Sequence, residues 1–519
     1  MVSGQPTCSP VATLKNNEKP DIGRITFTTP QNIYIPQKIL RALDIETGEL
    51  KGELPEVGYG FSRGGTLSTA GGIVIFGEDS GALVAADAKT GKPLWSFPTN
   101  ALWKASPMTY RFDGKQPFSG GGRLGYFGVR VMIRWFLTTI GALPTSLPIG
   151  RLASLLIKPA SAACNLDCSY CFYLDRQTDP YAGQAHRRMS PETLERLVES
   201  WLNYSYPNST FAFQGGEPTL CGPEFYSRLC ELQKQHGRNG HNVSNAMQTN
   251  AILLNERWCE IFREYNFLLG VSIDGPEAIH DLYRFNKEGH GTWKQVIRSI
   301  ELLQKRRVAF NALCVVSTAN VERPRELYKF YKSLGIEYLQ FIPLAEFDAE
   351  GRPLAFTPSP EQYGRFLCEM FDLWWPDMRR VRVRFFDNLA EALAGQMPGA
   401  CTMHESCDSY AVVEYNGDVY PCDFFVENEW KLGNIHRDSW IDIARRRLRY
   451  DFAAKKAIGH PACDVCEYRS LCHGGCPHTR RGRHGRFEDL DYYCASYKML
   501  FDKGIGKLAK EVEKLTRRR

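Results

Sequence analysis

From residue 154 to residue 343 the chain alternates between two patterns of apolar and polar positions. Short β-like runs occupy Ser154–Pro159, Thr210–Gln214, Asn245–Thr249, Leu268–Ile273, Asn311–Val316 and Tyr338–Pro343. Between them, apolar residues recur three and four positions apart, the spacing of one helix face. Leu194, Leu197, Val198 and Trp201 make one such stripe; Trp293, Val296, Ile297 and Ile300 make another. Both read as core-facing. Ser190 is placed to cap the first helix and Pro191 suits its first turn. Strand–helix alternation of this kind argues an α/β fold with a parallel sheet, and six βα units fit a partial TIM-like barrel. In such barrels chemistry gathers at the C-terminal ends of the strands.

The first 150 residues follow a different pattern. Ala42-Leu43-Asp44-Ile45-Glu46-Thr47-Gly48 recurs 43 residues later as Ala85-Ala86-Asp87-Ala88-Lys89-Thr90-Gly91, the period of a propeller blade. Each D-x-x-T-G reads as a tight turn in which Asp bonds back to the backbone. Residues 64–103 resemble the last blades of pyrroloquinoline-quinone dehydrogenases. Two blades cannot close a ring, so quinone chemistry is not expected of residues 1–115. Gly120-Gly121-Gly122 marks a break, and residues 116–151 read as a linker. Trp135–Gly150 lacks charge but is only 16 residues long and contains Pro144 and Pro148, too short and broken for a spanning helix. The further divisions expected are 152–385 for the barrel and 386–519 for a cysteine-rich domain ending in a helix.

Composition narrows the classes. The chain has 519 residues, 24% of them charged, and a net charge of +6, modest for its length. The basic tail from Lys507 is interrupted by Glu511 and Glu513 and reads as a solvated helix end. Neither a nucleic-acid nor a membrane partner is expected. Seventeen cysteines is an odd number for a disulfide framework, and residues 1–20 are polar, without the apolar core of a secretory signal. The expectation is a cytoplasmic protein with reduced thiols.

Three of those thiols, Cys164, Cys168 and Cys171, stand at C-x3-C-x2-C spacing directly after the first β-like run. Three thiolates leave a metal centre one ligand short of four, so an iron–sulfur cluster held this way keeps one iron free for a small molecule. Polar and glycine motifs end the next three runs: Gln214-Gly215-Gly216-Glu217-Pro218, Gln248-Thr249-Asn250 and Ser272-Ile273-Asp274-Gly275-Pro276. The glycine pair lets backbone approach a ligand closely. Eight more cysteines follow at 401, 407, 422, 463, 466, 472, 476 and 494. Eight thiols suffice for two closed four-cysteine sites, either zinc or iron–sulfur; spacing does not say how they are shared out.

The cysteine triplet, with Tyr170 before its last member, resembles the signature of the radical S-adenosylmethionine (radical SAM) enzymes, and the later cysteines resemble a SPASM domain. Ile157-Lys158-Pro159-Ala160, Cys171-Phe172-Tyr173, the stretch from Phe211 to Thr219, Asp274-Gly275-Pro276 and Val419-Tyr420-Pro421-Cys422-Asp423-Phe424 together resemble the anaerobic sulfatase-maturating enzymes, from about Leu152 to about Lys498. The resemblance implies a partial (β/α)6 barrel followed by a twin-cluster SPASM domain. It implies three 4Fe-4S clusters: one on Cys164, Cys168 and Cys171, one on Cys401, Cys407, Cys422 and Cys476, and one on Cys463, Cys466, Cys472 and Cys494. It implies SAM contacts from Tyr170, Gly216, Ser272, Arg284 and Ala345. Asp423 matches the family's general base, and Tyr173 and Gln248 are candidates to line the peptide pocket.

The activity so implied is oxidation of a cysteine or serine in a sulfatase segment of the C/S-x-P-x-R type to Cα-formylglycine, with an external donor such as flavodoxin or ferredoxin. The alternative within the family is a SPASM enzyme that crosslinks a ribosomal peptide through a thioether or carbon–carbon bond. A zinc-bound interaction protein and a quinoprotein fragment are the readings outside it. A chain beginning near Met132 is expected to fold and keep full activity.

Overall fold

The computed structural model describes residues 152–517 except 153, 174–178, 185–186, 408–409, 450–451 and 485–486; before residue 152 it describes only short stretches between 25 and 129. Six strands are parallel and paired in chain order: β1 (Ser154–Lys158), β2 (Asn208–Phe213), β3 (His241–Thr249), β4 (Leu268–Ser272), β5 (Phe310–Val316) and β6 (Tyr338–Pro343). Each lies within a few residues of its expected place.

The helices between them are α1 (Pro191–Ser205), α2 (Pro223–His236), α3 (Glu256–Glu264), α4 (Glu277–Tyr283), α5 (Trp293–Arg306) and α6 (Pro324–Ser333). Ser190 caps α1 by accepting the Thr193 amide, and Leu194, Leu197, Val198 and Trp201 are buried. On α5, Val296 and Ile300 are buried while Trp293 and Ile297 pack at the margin of the same core. Leu155 and Ile157 of β1 stand beside Phe211 and Phe213 of β2; all four are buried, and Phe213 packs edge-on against Tyr226 of α2, on the helix side of the sheet.

The sheet does not stop at six strands. β7 (Arg382–Val383) adds parallel to β6. On the opposite edge β8 (Tyr410–Glu414) runs parallel to β1, followed by antiparallel β9 (Asp418–Tyr420) and β10 (Gly433–Asn434). The cysteine-rich part is thus continuous with the barrel sheet through β1. The boundary expected at 385/386 falls inside α8 (Arg384–Leu393), a helix that starts directly after β7. Helix α7 (Pro360–Trp374) carries a full capping box at Ser359 and Gln362 and packs against the last helix, α13 (Cys494–Arg517). The remaining helices are α9 (Trp440–Arg449), α10 (Phe452–Ile458), α11 (Arg469–Cys472) and α12 (Pro477–His484). Among the described residues no helix is long and apolar enough to cross a membrane.

Near the N-terminus, Thr66–Ser68, Ile73–Gly77, Ala82–Asp87 and Pro93–Pro98 form a four-stranded antiparallel meander, the build of one propeller blade. In its D-x-x-T-G turn the Asp87 carboxylate accepts the Thr90 amide at 2.8 Å and the Thr90 hydroxyl at 2.9 Å, as the motif predicts. The earlier copy of that turn and the stretch Trp135–Gly150 lie outside the described residues. Within the expected linker, 116–151, a short element is present. Phe118–Gly122 and Gly125–Val129 pair as an antiparallel hairpin, because ladder hydrogen bonds need no side chain and Tyr126, Phe127 and Val129 favour strand. A further short strand, Ile25–Thr28, lies parallel to His241–Ser244 of β3.

Candidate active site

The three-cysteine loop leaves β1 in tight turns, with the Ser161 amide donating to Lys158 O and Ala163 to Ala160 O. It then lies along the segment after α4: the Asp167 amide donates to Phe285 O at 2.9 Å and Ser169 to Tyr283 O at 3.1 Å. Cys164, Cys168 and Cys171 become electrostatic neighbours of one another. Burial, with help from the neighbouring thiols, pushes Cys164 up to about 11 and Cys168 up to about 12. Desolvated sulfurs that repel one another as thiolates suit a cationic iron core, which takes them deprotonated. Among the described residues no three His, Cys, Asp or Glu side chains converge on a single ion. A 4Fe-4S cage is gripped at its corners, so its thiolates need not meet at a point.

The loop after β2 locks onto this one. Gly216 sits at φ +49°, and a Cβ there would lie 2.0 Å from the Ala163 carbonyl oxygen. Gly215 is at φ +87° against the Lys158 side chain. The Glu217 amide donates to Ala163 O at 2.8 Å. The buried Glu217 carboxylate accepts the Thr219 amide and hydroxyl, the Thr249 hydroxyl at 2.7 Å and the Asn250 amide at 2.7 Å. Asn250 in turn donates to Asn165 inside the cysteine loop at 2.8 Å. The ends of β1, β2 and β3 are thereby tied into one unit by a residue that the sequence reading treated as part of a motif only.

Beyond β4, Asp274 organises a buried network. Tyr170 donates to its Oδ2; Arg284 donates Nε to Oδ2 at 2.7 Å and Nη2 to Oδ1 at 3.2 Å; and the Val315 amide donates to Oδ1 at 2.9 Å. Burial opposes both charges, but each partner more than offsets it: Asp274 is held below the usual carboxylate range and Arg284 above its ordinary value. His280 is pushed down to about 4, chiefly by burial, and its neutral Nδ1 accepts the Asp274 amide. The sequence-predicted SAM contacts thus fall into two sets. Tyr170 and Arg284 meet on Asp274, whose role the sequence reading missed. Ser272, at the end of β4, and Ala345, two residues after β6, are buried at strand ends on either side of β5.

Asp423 is 4% exposed, directly after Cys422, where β8–β9 return to the barrel. Its Oδ2 accepts Tyr173 OH at 2.5 Å and Gln214 Nε2 at 3.1 Å. Lys158 Nζ lies 3.5 Å from Oδ1 and 2.8 Å from Glu414 Oε1. Lys158 and Glu414 are register partners across β1 and β8, so the strand pairing itself sets this ion pair. Tyr173, expected to line a peptide pocket, holds the carboxylate and lies under the Lys158 ammonium at 4.6 Å. Gln248 is half-buried at the end of β3.

The eight later cysteines separate into two cavities. Cys401, Cys407, Cys422 and Cys476 line one, with Tyr410 and Phe425. Cys463, Cys466, Cys472 and Cys494 line the other, beside Asp491 and Lys498. Tyr493 bridges the second cavity to the barrel, donating to the carbonyl of Leu344 after β6. Half-buried or buried thiols in fours, pushed up by desolvation to about 12 at Cys476 and about 11 at Cys494, fit iron–sulfur groups as the barrel triplet does.

Comparison with known proteins agrees with this geometry. Residues 159–331 match the radical SAM superfamily, residues 401–468 the SPASM iron–sulfur cluster-binding domain, and residues 46–117 the β-propeller domain of glucose/ethanol/alcohol dehydrogenases. The chain is 38% identical over 376 residues to the serine-type anaerobic sulfatase-maturating enzyme of Bacteroides thetaiotaomicron, covering 69% of this chain and 90% of that one. It is 38% identical over 360 residues to the cysteine-type enzyme of Clostridium perfringens, covering 68% and 97%. This chain belongs to the anaerobic sulfatase-maturating enzymes.

Among solved structures, that of anSMEcpe with AdoMet and the Cp18Cys peptide overlays with a TM-score of 0.64 at 37% identity, covering 70% of this chain and 99% of that one. Members of the family are radical SAM enzymes that oxidise a sulfatase cysteine or serine to formylglycine, and this maturase is one of them. The signals for Glu217 and Asp274 were present as GGE and DGP motifs. Lys158 entered the sequence reading only within the stretch Ile157–Ala160; its pairing with Glu414 gave no signal, because the two lie 256 positions apart and only the β1–β8 register brings them together.

Proposed function

We propose that the maturase oxidises the Cβ of a cysteine or serine in an extended C/S-x-P-x-R sulfatase segment, with Asp423 as proton acceptor. Cys164, Cys168 and Cys171 would hold the cluster that keeps one iron open. Cys401, Cys407, Cys422 and Cys476 would hold one closed cluster, and Cys463, Cys466, Cys472 and Cys494 the other; the two separate cavities support that division. Gly216, Ser272 and Ala345 would form the SAM cradle, with Tyr170 and Arg284 reaching it from the Asp274 network. When bound, the cofactors supply a 5′-deoxyadenosyl radical for hydrogen abstraction and an electron acceptor for the substrate radical.

The protein's own part is positioning and proton transfer. The observation that carries the reading is the placement of Asp423. It follows a cysteine of one closed site, is buried, and faces the strand ends of the barrel through Lys158 and Gln214. Tyr173 and Gln214 donate to Oδ2 and Lys158 lies 3.5 Å from Oδ1, so the carboxylate is held in a fixed orientation at the strand ends, where it would receive the thiol or hydroxyl proton. A serine target then gives the aldehyde directly; a cysteine target gives a thioaldehyde that water hydrolyses with loss of sulfide. The reductant would be an external flavodoxin- or ferredoxin-like donor, and the compartment the cytoplasm.

The test is anaerobic incubation of reconstituted protein with SAM, a reductant and C-x-P-x-R and S-x-P-x-R peptides, read by mass spectrometry beside 5′-deoxyadenosine release. Formylglycine with stoichiometric 5′-deoxyadenosine is expected. A crosslinked peptide, or deoxyadenosine with both peptides unchanged, would overturn the reading.

A further inference from the structure

One wall of the Cys401, Cys407, Cys422 and Cys476 cavity is cationic. Lys456 is 1% exposed. Its ammonium donates to the carbonyls of Cys401 at 2.7 Å and Thr402 at 2.9 Å. Its strongest electrostatic neighbours are the thiols of Cys407, Cys476 and Cys401 and the cation of Arg480; none is a carboxylate. Arg480, also 1% exposed, gives its donors to the carbonyls of Gly474, Lys456, Phe487 and His473. The carboxylate facing Arg480 is Asp491, itself held by the Cys476 and Tyr493 amides and by Thr479. The two carbonyls take two of the three N–H donors of Lys456 but leave its charge standing.

A buried ammonium among carbonyls and apolar rings is costly unless an anion adjoins it. A four-thiolate iron–sulfur centre is such an anion. Phe425, Trp430, Phe452 and Phe487 close off the same region, and a charge acts several-fold more strongly there than in water. We infer that Lys456, backed by Arg480, is the counter-ion of the cluster on Cys401, Cys407, Cys422 and Cys476, and raises its reduction potential so that it takes the electron leaving the substrate. This rests on the maturase reading above. In that step the substrate carbon radical loses one electron, the cluster gains it, and the proton goes to Asp423. The added negative charge on the reduced cluster is what a fixed neighbouring cation stabilises. Lys498 makes the contrast, since it lines the other cavity but is exposed.

The experiment is an EPR-monitored redox titration of the fully loaded protein without substrate, beside iron and sulfide content. Lys456→Met and Lys456→Gln should make reduction of one closed cluster about tenfold less favourable, a downward shift of about 59 mV for one electron. Lys456→Arg should keep the native potential, and Lys498→Met should shift neither cluster. Unchanged potentials in both neutral variants overturn the proposal. If the neutral variants fail to load that cluster while Lys456→Arg loads it, the charge is needed for assembly and the proposal stands. If all three fail, Lys456 is structural and the proposal falls. The unmodified protein is titrated first: lack of closed-cluster signals there would overturn the maturase reading, and this one with it.

Discussion

Asp423 joins the barrel to the cysteine-rich part, and its replacement separates two halves of the reaction. Asp423→Asn keeps the shape and the Tyr173 contact but cannot accept a proton. Formylglycine turnover should fall by about 10²–10⁴-fold, the usual worth of a positioned base. Cleavage of SAM to 5′-deoxyadenosine should persist, since Tyr170, Gly216 and the first cysteine loop are untouched. Equal loss of both products would mean that Asp423 holds the fold and not the proton. His280 gives a pH prediction at the same scale. Its folded value is about 4 against an ordinary 6.5, so the unfolded chain binds the proton first as pH falls. Stability is therefore unaffected above about 6.5 and declines as pH drops towards 4, by roughly 3 kcal/mol in all. Urea unfolding midpoints between pH 7 and 4 should fall less steeply in His280→Asn than in the parent; parallel curves would refute the assignment.

The strand-end loops are coupled as elements. Gly216→Ala would push a Cβ to 2.0 Å from the Ala163 carbonyl at φ +49°. The left-handed backbone alone costs an alanine about 1–2 kcal/mol, and the clash must also displace the cysteine loop. SAM affinity should drop at least tenfold by equilibrium binding, while the two cavities of the C-terminal part keep their iron; unaltered SAM affinity would show that this loop does not shape the cradle. These barrel elements were legible because each run is five to nine residues long and followed by a periodic helix. β7 to β10 were not, since they are two to five residues long and lie among turns. Their pairing is also remote: β8 joins β1 across some 250 positions, and no local pattern encodes a partner so far away. The cysteine division came from resemblance, because consecutive spacing would group Cys476 with Cys463, Cys466 and Cys472. The chain instead places Cys476 opposite Cys401, at the start of α12, and brings in Cys494 from the head of α13.

At the scale of the whole molecule, the question is whether the blade-like N-terminal part serves the maturase. Among the described residues, Ile25–Thr28 of this part pairs with His241–Ser244 where β4 has not yet begun; β4 meets β3 only from Ala246 onward. That contact is at the N-terminal half of β3. Thr249 and Asn250, which bind Glu217, are five or more residues further on, roughly 16 Å at about 3.3 Å per residue. The strand therefore covers a sheet edge at the end of the barrel away from the chemistry. A chain beginning at Met132 should load the same iron, bind SAM with the same affinity and make formylglycine at an unchanged rate. Its thermal midpoint should drop by a few degrees at most, since one four-residue ladder is lost from a sheet otherwise intact. Matched kinetics with a slightly lower midpoint would make the N-terminal part an appendage with an edge-covering role. A fall in kcat with iron content preserved would mean that the first 131 residues act on the site through β3, and the blade would then have to be counted as part of the enzyme.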